Sequence, residues 1–173
     1  ETSPLRSRRR ATLSGRRTKT GTILGFHGRA SDTVVEIADC LILHPRLTAT
    51  FPALRAVIAA GASRKGEMAL TVTLTDGGVD LAATGGKPID AALFETLARI
   101  ADEADLARLS WNAEVVATRR PPTQTFGPAR VIPPAGAFLQ ATAQGEAALV
   151  AAVAEAVGTA PRIADLFAGC GTF

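Results

Sequence analysis

Cysteine is nearly absent from this 173-residue chain: only Cys40 and Cys170 occur, far apart. That spacing offers no metal-ligand motif and no disulfide framework, which predicts a reducing, cytoplasmic setting. Long apolar runs are missing as well. None approaches the roughly 20 residues that cross a bilayer, so no membrane span is expected. The arginine-rich start lacks an apolar signal core, which argues against secretion, although a mitochondrial-type leader is also basic and poor in acids. Histidine is limited to His27 and His44, each isolated, and structural or surface roles are the default for both. No internal repeat of solenoid period is found.

What the sequence does contain is a soluble globular composition, 47% apolar and 20% charged. Its net charge of +3 is unevenly spread. Residues 1–29 hold eight basic side chains against Glu1 alone, a net of +7, and the remainder is −4. An anionic partner, or simple solvation of a chain end, accounts for such a segment.

Alternation in PLRSRRRATLSGRR predicts an extended strand with Arg6, Arg8, Arg10, Thr12, Ser14 and Arg16 on one face. Further strands are expected in TGTILGFHG and TVVEIADCLILHP, the latter ended by Pro45. FPALRAVIAAG reads as a short helix with Gly61 as a left-handed stop. EMALTVTLTDGGVDLAAT is a hairpin turning at Asp76-Gly77-Gly78. IDAALFETLARIADEA is an amphipathic helix striped by Ile89, Leu93, Leu97 and Ile100, with Asp90 in its first turn. LARLSWNAEVVATRR gives two strands around Asn112-Ala113. A second helix spans about Gln144 to Val157, its buried stripe Ala147, Val150, Val153 and Val157, its stop Gly158. RIADLF then reads as a short buried strand entering a glycine turn.

The pattern predicts an α+β chain. Residues 1–134 form a domain built on an antiparallel sheet, and 135–173 open a Rossmann-like α/β domain. A strand that enters a glycine-rich turn allows close approach of a ligand, because Gly169 and Gly171 carry no Cβ. An ordinary strand-end turn is the simpler reading of two glycines alone. Phe138 is equally suited to the core and to a pocket wall.

DLFAGCG, at Asp165 to Gly171, resembles the first motif of S-adenosylmethionine-dependent methyltransferases. AFLQAT, at Ala137 to Thr142, lies one helix upstream. Together they resemble the RNA (uracil-5-)-methyltransferase family. RRRATL, IADCLILHP, WNAEVV and GPARVIPPAGAFLQAT follow in the same order, so the resemblance covers nearly the whole chain. It implies methyl transfer from S-adenosylmethionine to carbon 5 of uridine in RNA, ribosomal RNA favoured over transfer RNA. It implies cofactor contacts from Gln140, Asp165, Phe167, Gly169, Gly171 and Thr172. Phe138 would flank a flipped base, and Arg6, Arg8, Arg10, Arg16 and Arg17 would follow RNA phosphates.

Two departures stand out. Thr172 and Thr142 occupy positions where relatives carry Asn. The cysteine nucleophile and the base of this family, both downstream of the glycine turn, have no counterpart here, and Cys170 sits inside the cofactor loop instead. The expectation is therefore a fragment without turnover of its own. An iron–sulfur cluster, found in many relatives, has no ligand set in this chain. The alternatives are a non-enzymatic RNA-binding module and a methyltransferase for another substrate.

Overall fold

The computed structural model describes residues 3–173. Its centre is a seven-stranded sheet in the order β3-β2-β1-β4-β5-β6-β7. The strands are β1 Arg10–Arg17, β2 Thr22–His27, β3 Val34–Glu36, β4 Glu67–Thr75, β5 Gly78–Thr84, β6 Arg108–Trp111 and β7 Glu114–Thr118. All neighbours are antiparallel except β5 and β6. A parallel pair needs a long crossover. Here α3, Ala91–Glu103, provides it. A short α1, Pro45–Thr48, precedes α2, Phe51–Gly61.

Period-two alternation decides which face is covered. In β1, Ala11, Leu13 and Gly15 are buried while Thr12 is exposed. In β4, Met68, Leu70 and Val72 point the same way. They meet Leu54, Val57 and Ile58 of α2 and Leu97 and Ile100 of α3 in one core. A Cβ on Gly15 would press within 2.6 Å of Ile58 Cγ1, so the glycine leaves room for the Ile58 side chain to pack directly on the strand.

Gly61 differs from its expected role. It is the last helical residue of α2, has no left-handed φ, and is followed by an extended Ala62. The requirement is space: a Cβ at Gly61 would overlap the buried indole of Trp111, as would one at Gly86. Asp90 stands before the first turn of α3 as its N-cap, accepting the Leu93 N–H at 2.8 Å. The β4–β5 hairpin and the β6–β7 hairpin form where the alternation placed them. Asn112 and Ala113 both take positive φ, the primed-turn geometry that suits a two-residue connection.

Four expectations are corrected. The first strand begins only at Arg10. Arg6 lies in a turn at φ 57°, and Arg8 forms an isolated bridge to Leu43. The third strand shrinks to Val34–Glu36, because the rest of that segment runs past Arg6 and Arg8 as a loop. A small hairpin of β8, Gln124–Phe126, and β9, Ala129–Val131, stands among the prolines where no strand was expected. Finally, α4, Ala143–Val157, has no buried residue, and residues 162–167 form no strand. Val150 and Val153 are about 40% exposed and Leu166 is 79% exposed. A central parallel strand needs partners on both edges and helices over both faces. Among the described residues, no strand pairs with this segment.

Candidate functional site

The site begins with a buried charge pair in the sheet. Asp80 of β5 and Arg108 of β6 face each other across the parallel pairing. Arg108 donates through Nε to Asp80 Oδ1 at 2.9 Å and through Nη2 to Oδ2 at 2.7 Å. The same Nη2 donates to the Pro133 carbonyl at 3.0 Å. This anchors the segment that carries Phe138 and Gln140 on the sheet face opposite the helices. Gly136, at φ 73°, lies against Ala82 there.

Arg9 and Arg10 clamp the next residues. Arg10 donates through Nε to the Ala137 carbonyl at 3.1 Å and through Nη2 to the Gly136 carbonyl at 3.2 Å. Its guanidinium carbon lies 5.7 Å from the centroid of the Phe138 ring, a cation–π contact. Burial, with a smaller contribution from Arg8, lowers the Arg10 pKa from its ordinary value. Arg9 donates through Nε to the Gln140 carbonyl at 3.1 Å and pairs with Glu146 of α4. The Arg9 N–H also donates to the Ala141 carbonyl at 2.7 Å. Thr142 caps α4, its hydroxyl accepting the Gly145 N–H at 3.1 Å.

With its main chain held on both sides, Gln140 opens onto a cavity of about 540 Å³. Phe138, Asp165, Phe167, Gly169 and Thr172 line the same space, with Cys170 and Phe173. Gln140 and the glycine turn, 25 or more residues apart in sequence, thus share one chamber. Its wall is mostly apolar, and Asp165 supplies its one carboxylate. Gly169 and Gly171 have φ of 60° and 70°, the left-handed region that glycine takes without steric cost. Gly171 closes the turn by donating to the Ala168 carbonyl at 2.9 Å and lies outside the cavity wall. Phe167 also has a positive φ, 66°, unusual for a side chain of its bulk, and its ring is fully exposed.

The arginines expected in one row are dispersed. Arg6 pairs with Asp39 at 3.2 Å. Arg10 is committed to the Phe138 segment. Arg16 of β1 donates through Nε to Glu67 at 2.7 Å, beside His27, whose Nε2 lies 2.6 Å from the other Glu67 oxygen. Burial pushes Glu67 up, but hydrogen bonds from His27, Ser14 and Arg16 outweigh it and hold the carboxyl at about 2. The Glu67 hydrogen bond raises His27 above its ordinary value against a smaller opposing effect of desolvation. Arg8 and Arg17 form no ion pair among the described residues. Sequence reasoning does not find the Asp80–Arg108 pair or the Arg9 clamp. The one signal for the pair is a lone charge inside an apolar strand, VDL and ARL, at matching positions.

No family model matches the chain. It is 38% identical to an uncharacterized RNA methyltransferase of Brucella suis, over 96% of this chain and 40% of that protein. An uncharacterized RNA methyltransferase of Rhizobium meliloti is 39% identical with the same coverage, and one of Caulobacter vibrioides is 40% identical over 99% of this chain and 43% of its own length. Among solved structures, the fold matches a Pyrococcus abyssi tRNA (uracil-54, C5)-methyltransferase in complex with S-adenosyl-L-homocysteine. The TM-score is 0.62, with 13% identity, over 88% of this chain and 41% of that one. The chain spans about 40% of the length of the relatives it matches. By sequence it is similar, over nearly its whole length, to proteins named RNA methyltransferases.

Proposed function

We propose that this chain is part of an S-adenosylmethionine-dependent enzyme that methylates carbon 5 of uridine in RNA, with ribosomal RNA the favoured target. Residues 1–134 are the RNA-facing domain, and 135–173 are the first part of the cofactor domain. One observation carries the reading: Gln140 and the 165–172 turn face a single cavity, as a site for a shared ligand requires.

The residues present fit the cofactor. A chamber of about 540 Å³ lies within the range of small-ligand sites, roughly 300–1,000 Å³. Aromatic rings at 167 and 173 offer π faces to a sulfonium. Asp165 offers an acceptor to an ammonium or a ribose hydroxyl, and the Gln140 amide both donates and accepts. When bound, the cofactor supplies an electrophilic methyl group. The protein's own contribution here is placement. Arg9 and Arg10 fix the main chain at 136–141, so Gln140 meets the cavity from a held segment rather than a free loop. Phe138, 69% exposed, presents its outer face for stacking on an extruded base while Arg10 covers the other side. In this reading the nucleophile and base belong to the part of the relatives' length that this chain does not match.

Calorimetric titration with S-adenosylhomocysteine tests the site. Binding weakened about tenfold or more by Gln140→Ala or Gly169→Val is expected, as about 1.4 kcal/mol per tenfold is the order of one polar interaction removed from a site. Methyl-labelled cofactor and uridine-containing RNA should give no turnover. Absence of any binding, or catalytic labelling at carbon 5 by these 173 residues, would overturn the assignment.

A further inference from the structure

A second cavity, of about 440 Å³, lies where the β1–β2 turn meets α2. Arg17, Lys19, Arg55 and Arg64 line it, and no acidic side chain does. Several arginines elsewhere in the molecule find carboxylates: Arg6, Arg9, Arg16, Arg99, Arg108 and Arg120 are each ion-paired. Arg17, Lys19 and Arg64 are not, among the described residues. Gathering unpaired cations around one hollow costs Coulomb energy and returns nothing to the fold.

The hollow is also built rather than accidental. Arg55 is fixed from behind, donating through Nη1 to Glu36 at 2.8 Å and through Nη2 to the Ile37 carbonyl at 3.1 Å. That leaves a guanidinium held in the wall with little freedom to lose. Ala56 and Ala59 of α2 and Gly21 of the turn keep the floor low. The turn is locked by Thr18, whose N–H donates to the Gly21 carbonyl at 2.8 Å and whose hydroxyl accepts the Gly21 N–H at 2.9 Å.

We propose that this cavity binds a phosphodiester of the RNA backbone, a contact remote from the methyl-transfer cavity. The inference rests on RNA being the substrate. Arg17 is seven residues along β1 from Arg10, roughly 23 Å at about 3.3 Å per residue. An odd separation puts the two on opposite faces of the sheet. The site therefore anchors the strand away from the reacting base, adding affinity without reading sequence.

The test is fluorescence anisotropy of a labelled oligouridylate across a salt series, with hydrogen exchange on the same complex. The triple variant Arg17→Gln, Lys19→Gln, Arg64→Gln leaves the fixed Arg55 in place. Arg29→Gln, Arg46→Gln, Arg130→Gln removes equal charge elsewhere. The first triple should bind about tenfold or more weaker, with the log–log salt slope shallower by about 0.7 for each phosphate no longer neutralised. The second should change little, and RNA should protect residues 17–22 and 55–64 from exchange. Equal weakening by both triples, or no protection in those segments, would overturn the proposal while leaving the RNA reading intact. Failure of the unaltered chain to bind RNA would overturn that reading and the proposal with it.

Discussion

Arg108→Met probes the deepest electrostatic feature of the fold. Both partners of the Asp80–Arg108 pair are more than 90% buried. Removing the guanidinium strands a carboxylate in the interior, and breaking such a pair costs about 3–5 kcal/mol. At about 2–4 °C per kcal/mol for a chain of this size, the midpoint of thermal unfolding should fall by roughly 6–20 °C. Trp111, the sole tryptophan, is buried three residues along the same strand, so its fluorescence reports unfolding directly. The double variant Asp80→Leu, Arg108→Met should recover most of the loss, because an apolar pair of similar volume replaces a buried ion pair at little cost. A residual of about 1 kcal/mol should persist, since the Pro133 carbonyl has lost its donor. A single-variant loss below about 1 kcal/mol would refute the reasoning. It would mean that Asp80 reaches water or a proton when its partner is gone.

Two further outcomes follow from geometry. Gly61→Ala should destabilise by about 1–3 kcal/mol and shift the Trp111 emission, since the new methyl must displace the indole; an unchanged spectrum and stability would show the packing there to be loose. His27 should titrate above 6.5 by NMR and return toward it in Glu67→Gln, and a midpoint indifferent to that change would remove Glu67 as the cause. The associated stability has a defined sign. The part owed to His27 is full below 6.5 and fades as pH rises through its raised midpoint. The part owed to Glu67 is full above 4.5 and fades as pH falls toward about 2.

Much of the sheet is legible because its alternation is local. β4 and β5 read directly from Met68, Leu70 and Val72 against a DGG turn, and β6 and β7 from Asn112-Ala113. Helix α3 is visible in its stripe. What escapes depends on distant partners. Nothing near Gly61 announces Trp111, fifty residues on, so a glycine at a helix end reads as a stop rather than as clearance. The arginine row misleads because alternation cannot tell which side chains fold back onto their own chain: Arg10 is spent on Ala137, and Arg6 on Asp39. The tail invites over-reading. RIADLF has the composition of a buried strand, but composition cannot supply the neighbours that would bury it. For the candidate site, two short motifs point at the same cavity, while the clamp that holds one of them there is invisible in sequence.

Strand β1 acts as a ruler. One end grips the segment beneath Gln140, and the other carries Arg17 to the basic hollow on the reverse side. Adding or deleting a single residue between them would turn one end over and empty one of the two places. The count of residues from 10 to 17 should therefore tolerate less change than most of the side chains along it.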